Sequence, residues 1–520
     1  MTTTLTPRPP ATRRGDRGGF LRTLHAEWTK FRTVRGWVLA MAGALLATVV
    51  VGLLATAAPS PGGSGAAAYP TGPGGEAVND SFYFVHRTLT GDGTLTVPLR
   101  SLTGVADTGT GRTTRGVQPW AKAGIVVKES LDHGSPYAAL MATGGHGVRL
   151  QYDYTHDTAG PSGRVTEKSP RRLRLVRSGD TLTASVSVST GGSDWTEVGR
   201  AKLPGLARTV RAGLFVTSPQ AKQDTAAGTG FSPAVATGVF GRPSLTGGWS
   251  PGAWRGTQVG GDAGTSGSYT NSTGGGFTRT GGGGFTVTGA GDIAPVVGGP
   301  VMGPGFSVEN FLVGTFAGLV VVIAVAAVFV TGEYRRGLMR TTVAATPRRI
   351  RVLGAKALVA GGVALVVGVV AAAITVPVGE RSARGRGFHV FPVTSATEVR
   401  VVVGTGLLCA AAAVLALGAG ALLRRAGTAV ALVVASLVLP FLLGTSGVLP
   451  AGVSEWLLRV TPAAGFAVQQ TLPRYAQVLS VYEPSTGYHP LAPWAGLAVL
   501  CGYAALAFGL AAVRLRGRDV

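Results

Sequence analysis

Cysteine is nearly missing from this chain. Only Cys409 and Cys501 occur in 520 residues, and each falls inside a long apolar run. Neither can brace a domain outside those runs, and no C-x-x-C or comparable metal-ligating spacing exists. Any exported domain must be held by its core alone. Charged residues are also scarce, at 14%, and the long apolar runs contain almost none. That argues against a transporter with its own ion relay at the membrane midplane. None of the seven lysines lies in a G-x-x-x-x-G-K-[ST] phosphate loop. The seven histidines (25, 86, 133, 146, 156, 389 and 489) show no H-x-x-x-H or zinc spacing. "YDYTHD" (Tyr152 to Asp157) holds two carboxylates, but they do not form an acid and nucleophile pair of the glycosidase kind. No catalytic residue, metal site or cofactor is expected on this chain.

Apolar length is abundant instead. Six windows, 36–57, 309–331, 354–378, 400–423, 427–448 and 491–513, are long enough to cross a bilayer. "RRAG" (Arg424 to Gly427) leaves room only for a tight hairpin between the fourth and fifth. "GLLCAAAAVLALGAGALL" is rich in small residues that permit close helix packing. The net charge of +23 invites a nucleic-acid reading, but its placement excludes one. Residues 1–35 carry +6, 332–352 carry +5, Arg424 and Arg425 carry +2 and the tail 514–520 carries +2, together 15 of the 23. All four fall on one side if six spans alternate, which is the positive-inside pattern with both termini cytoplasmic in a multi-pass cell-membrane protein. Such charge also suits anionic lipid headgroups. "ERSARGRGFH" (Glu380 to His389) runs against the pattern, with three arginines in a predicted outside loop.

The fold expected is a polytopic α-helical membrane protein of six spans with a large extracytoplasmic all-β sandwich inserted between spans one and two. Residues 1–19 read as a disordered basic tail. Within 20–35, Phe20, Leu24, Trp28 and Phe31 recur at helical spacing with Glu27, Lys30 and Arg32 among them, as in an amphipathic helix lying on a membrane surface. Residues 58–79 form a Pro/Gly/Ala linker. Over 80–247, short alternating runs separated by Gly, Asp, Ser or Pro predict a jelly-roll sandwich. In one hairpin, turning at Ser178 to Asp180, Leu173 and Leu175 should share a buried face with Leu182, Ala184 and Val186. Residues 248–305 are Gly-rich and read either as a disordered tether or, because Trp249, Trp254, Phe277 and Phe285 recur as anchors, as a loosely ordered extension packed on the sandwich, with the core of spans two to six over 306–520.

Two stretches carry a family resemblance. "AEWTKFRTVRGW" (Ala26 to Trp37) before a span, and "VTGEYRRGLMRTTVAATPRRIRVLGAKAL" (Val330 to Leu358) after one, resemble actinobacterial permeases of the type-2 ABC exporter superfamily. The resemblance covers the first 60 residues and most of 306–520. It implies two permease halves, the second a copy of this chain or a related one, paired with ATPase subunits that hold ATP and Mg. It also implies docking of the ATPase on the surface helix and on the loop after span two. Glu333 would pair with a cation of that helix or of the ATPase, and Tyr334 and Arg335 would begin the loop. Arg336, Arg340, Arg348 and Arg349 would meet the partner or lipid phosphates, while Thr341, Thr342 and Pro347 would cap and limit a short helix. Re-entrant helices between spans five and six would close the exit, near Trp456, Leu457 and Leu458. The large outer insertion departs from that family, and the substrate is not legible.

The insertion itself resembles concanavalin-like and laminin-G-like jelly rolls in "WAKAGIVVKES" and "RRLRLVRSGDTLTASVSVS". If it takes a cell-wall or surface glycan, the candidates are Trp120, His146, Arg149, Tyr152 and Tyr154, since aromatic faces stack on sugar rings; the alternative is that Trp120 and the tyrosines are core residues. The competing reading is a membrane-anchored adhesion or sensing protein in which the sandwich is the working part.

Overall fold

The apolar runs form helices because, in a medium without water, only a helix satisfies every backbone group within one segment. In a computed structural model, residues 17–57, 69–107, 112–188, 194–225, 228–260, 275–297, 305–335, 349–478 and 482–516 are described. The helices are α1 (Arg17–Thr33), α2 (Arg35–Ala57), the short α3 (Val308–Phe311), α4 (Thr315–Arg335), α5 (Arg349–Gly385), α6 (Ser395–Leu423), α7 (Ala426–Thr445), α8 (Ala451–Val460) and α9 (Pro493–Arg516). Six apolar helical stretches among the described residues are long enough to cross a membrane: Arg35–Leu54, Val308–Tyr334, Arg349–Gly385, Ser395–Leu423, Ala426–Thr445 and Pro493–Leu515.

α6 lies at the centre, against α4, α5, α7 and α9. Small residues let it sit there. A Cβ on Gly368 of α5 would stand 2.8 Å from the Gly406 Cα of α6, and one on Gly418 would stand 2.9 Å from the Phe508 backbone of α9. α6 ends at Arg424, which takes the left-handed φ of 58° and turns the chain directly into α7. "ERSARG" is not a loop. It forms the last turns of α5, where Arg384 pairs with Glu380 one turn back at 3.1 Å.

Between α2 and α3 the alternating runs form β1 (Val78–Asp80), β2 (Phe82–Asp107), β3 (Thr113–Arg115), β4 (Lys122–Lys128), β5 (Tyr137–Thr143), β6 (Val148–Tyr152), β7 (His156–Ala159), β8 (Arg171–Ser178), β9 (Thr181–Ser187), β10 (Thr196–Lys202), β11 (Thr209–Thr217), β12 (Ala221–Thr225), β13 (Gly228–Ser232), β14 (Ala234–Phe240), β15 (Ser244–Trp249), β16 (Arg255–Val259), β17 (Gly276–Thr280), β18 (Gly284–Gly289) and β19 (Ile293–Pro295). Strand order runs β10-β9-β8-β2-β11-β4-β5-β6-β7. β2 spans 26 residues and serves both layers: its start pairs with β11 and β16, its middle with β8 and β15, its end with β14. The β8–β9 hairpin has Leu173 opposite Val186 and Leu175 opposite Ala184, all buried. Gly179 supplies the positive φ of 59° that its two-residue turn needs.

The described parts of the Gly-rich stretch after 247 belong largely to this sheet. β15 and β16 pair with β2, and β18 pairs with β14, so the sheet runs on past the boundary expected at 247. Phe285 is buried in the sandwich core, with Trp249, Trp254 and Phe277 packed against it. Both faces of β4 and β5 are buried. One lies on the sandwich core. The other is covered by the β1–β19 ribbon, where the chain enters and leaves the domain, and is locked by two buried ion pairs. Lys128 donates to Asp80 at 2.8 Å, and Lys122 donates to Asp292 at 2.6 Å.

Candidate functional site

α1 is amphipathic, and its inward stripe is Leu24, Glu27 and Phe31. Phe31 meets Phe329 of α4 edge-on at 5.5 Å, and Trp37 meets the same ring at 5.1 Å. Trp28, expected on the apolar stripe, is 43% exposed on the other side, and Arg32 is exposed beside it. The stripe turns at Glu27 because that carboxylate has partners inside.

Those partners form a closed ring of four charges. Lys356 of α5, wholly buried, donates to Glu27 Oε2 at 2.6 Å and to Glu333 Oε1 at 2.8 Å. Lys30 donates to Glu27 Oε1 at 3.0 Å and to Glu333 Oε1 at 3.1 Å. The ring is neutral overall, which is what permits its burial. The Lys356 ammonium also lies 4.4 Å over the Phe329 ring. Burial pulls the Lys30 pKa down, but the hydrogen bond and charge of Glu27, with Glu333 behind, outweigh it and raise the pKa. Glu333 Oε2 is buried without a partner. The ring ties α1 to the exit of α4 and the entry of α5, the two helices that bracket residues 336–348.

The same end of the helices carries further cations on backbone and ring acceptors. Arg349 donates to the Leu515 carbonyl at 3.0 Å, and Arg514 donates to the Leu422 carbonyl at 2.9 Å. These are last-turn carbonyls, where a helix end is negative. The Arg424 guanidinium lies 5.2 Å from the half-buried Tyr334 ring. Arg335 closes α4. Arg336, Arg340, Thr341, Thr342, Pro347 and Arg348 lie outside the described residues. The sequence reading missed Lys356. Its signal was a single lysine placed inside the apolar run "VLGAKALVAGG".

At the opposite end, α8 is followed by a 3₁₀ turn, Pro462–Gln469, whose residues are all buried. The Gln469 amide donates to Thr315 Oγ1 at 3.1 Å and to Thr405 Oγ1 at 3.0 Å, pinning the turn between α4 and α6. Leu458 is buried and Leu457 half-buried, whereas Trp456 is 64% exposed. The loop that follows meets the β domain: Gln477 donates to the Tyr154 carbonyl at 2.9 Å, and Lys222 pairs with Glu483.

The five glycan candidates do not form one platform. Trp120 is 4% exposed, with His146 stacked on it at 4.0 Å and the Arg149 guanidinium at 5.7 Å. Burial, with the Arg149 charge behind it, lowers the His146 pKa, and Asp157 opposes the shift. Arg149 in turn pairs with Asp157, whose Oδ1 also accepts from Gln151 at 3.0 Å. Tyr152 packs on the sandwich core and stacks on His156 at 4.3 Å. Tyr154 is wholly buried, accepting from Lys128 at 3.2 Å and donating to the Ser135 carbonyl. The Trp120 ring is covered by its own neighbours, and Tyr154 belongs to the core.

No family model matches the chain, and no curated protein matches it. Among solved structures, a scytalido-glutamic peptidase with a transition-state analog inhibitor is similar at a TM-score of 0.27 and 12% identity, over 42% of this chain and 100% of that one. A functionally unknown protein from Saccharomyces cerevisiae is similar at a TM-score of 0.20 and 16% identity, over 36% of this chain and 85% of that one. Likeness at this level carries no argument about fold or function.

Proposed function

We propose that the chain is the membrane-spanning subunit of an ATP-driven exporter, and that ATP and Mg are held by a separate ATPase subunit. The observation that carries this is the buried ring of Glu27, Lys30, Glu333 and Lys356. It makes α1, α4 and α5 one rigid corner. A helix that only anchored a sandwich to the membrane would gain nothing from being clamped to two others by buried charge. A helix that receives a push from a partner and passes it to two spans would. Removing a buried member, Glu27 or Lys356, costs about 3–5 kcal/mol, so the ring holds its geometry under load.

The sides follow from charge. The end that carries Arg349, Arg424 and Arg514 also carries the ring, and it is the cytoplasmic end by the positive-inside pattern. Both termini then lie inside the cell, and the β domain lies outside, resting on the loop beyond the buried turn 462–469. A second copy or a related permease completes the pathway at a subunit interface. The partner's closure tilts the corner, and the buried turn opens or shuts the outer exit.

The test is affinity purification of the tagged chain from native membranes in mild detergent, with mass spectrometry of what accompanies it. We expect a stoichiometric nucleotide-binding protein with the wild type and its loss from an Arg336→Glu/Arg340→Glu variant, in which the four ring residues are unchanged. Wall material alone, or no ATPase in either form, would sink transport and favour an adhesion or sensing role for the β domain.

A further inference from the structure

At Leu99 β2 is paired on both edges, with Arg171 of β8 on one and Phe240 of β14 on the other. Up to there it pairs with β8, and from there with β14. The β14 ladder slips at this point, with Val239 opposite Ser101 and Phe240 opposite Leu99, so Arg100 is the extra residue of a β-bulge. A bulge breaks the in-out alternation and re-aims a side chain, and bulges concentrate beside functional sites. Arg100 is exposed and lines a groove of about 490 Å³, together with Arg171, Arg172, Ser101 and Glu167. Its walls are the apolar surfaces of Pro98, Pro170 and Val239.

The groove is built for negative charge. Three arginines and one glutamate line it, and Arg100 makes no ion pair among the described residues. Arg171 spends one nitrogen on Ser169 Oγ at 2.9 Å and the Pro170 carbonyl at 3.2 Å, which fixes the side chain, while its Nε is buried without a partner. Arg172 is braced by the Trp195 ring at 5.1 Å, and Arg174 lies over that ring at 4.1 Å. Solvated surface arginines need neither a bulge to aim them nor a buried, unanswered N–H.

We propose that this groove binds a sugar-sized anion, a saccharide bearing a phosphate or carboxylate group. The guanidinium fork matches both oxyanions and takes them in pairs of hydrogen bonds. The volume lies in the range of small-molecule sites, and a lone phosphate would leave most of it empty. The proline and valine walls suit the C–H face of a sugar ring. The site rests on the β domain alone, and it stands whether or not the chain transports anything.

The experiment is titration calorimetry on the full chain in nanodiscs of zwitterionic lipid, with glucose 6-phosphate, glucuronate, glucose and inorganic phosphate as probes. Glucose 6-phosphate or glucuronate binds more tightly than inorganic phosphate, and glucose does not bind. Arg100→Gln and Arg172→Gln each weaken binding about 10-fold or more. Glu167→Gln tightens it, a gain that misfolding cannot produce. Arg200→Gln, which removes an exposed guanidinium paired with Glu197, changes nothing. Failure of both charged sugars to bind, equal binding by glucose or by phosphate alone, or undiminished binding in Arg100→Gln would overturn the site.

Discussion

Lys356 shows how one residue sets the chemistry of a whole corner. Burying a lone charge is costly, and here two carboxylates lie within 2.8 Å of the Lys356 nitrogen and an aromatic face lies beneath it. Replacing it with methionine leaves Glu27 and Glu333 sharing only Lys30, which is 43% exposed on its side chain. We expect Lys356→Met to destabilise the detergent-solubilised protein by about 3–5 kcal/mol. Adding Glu333→Gln should recover much of that, because Glu27 and Lys30 then balance. Thermal unfolding of the two variants measures both, and a neutral Lys356→Met would mean that the ring does not hold the corner. Part of this was legible in the sequence. Glu333 stood out at the end of an apolar run, and family resemblance implied a pairing with a cation either of the surface helix or of the ATPase. Lys356 was not legible, because one charge inside an apolar run has no periodicity to announce its partner.

At the scale of elements, close packing of the buried turn 462–469 is governed by glycine. A Cβ on Gly496 of α9 would stand 2.2 Å from the Ala464 carbonyl oxygen and 2.6 Å from the Ala467 Cβ. Gly496→Ala must therefore push the turn away from α9, at a cost of about 1–3 kcal/mol. Gly502 on the same helix has nothing within 4 Å of its Cβ position. Gly502→Ala should be neutral or gain up to about 1 kcal/mol through helix propensity. Melting temperatures of the pair in one detergent check this, and equal behaviour would contradict the packing. Helices were the most legible elements, since apolar length alone marks them. The β8–β9 hairpin was legible too, because leucines alternate on both sides of a short turn. The full length of β2 was hidden, since a strand that changes partners and face has no single alternation. β15 to β19 were hidden for another reason: glycine has no side chain to show which face is buried.

The whole molecule has two ends of different character. One gathers the ring and the arginines on α5, α6 and α9. The other seats the β domain through Gln477 and Lys222 on the loop beyond the buried turn. Composition foretold the separation, because charge concentrated in four short segments and alternating strands occupied the longest gap between apolar runs. It could not foretell the contact between the β domain and that loop, which depends on groups far apart in sequence. For Trp120 and Tyr154 the reading as core residues is the one the fold bears out, since their own neighbours cover them.

If α1 receives the partner, its outward side is where the partner sits, and Trp28 and Arg32 are exposed there together with Leu21 and His25. The most direct measurement is photo-crosslinking in native membranes from a reactive residue placed at Trp28 or Arg32, with mass spectrometry of the adducts. We expect crosslinks to a nucleotide-binding subunit that change in yield when ATP is added. Crosslinks confined to lipid or to the chain itself, with no response to ATP, would contradict the coupling role of this corner.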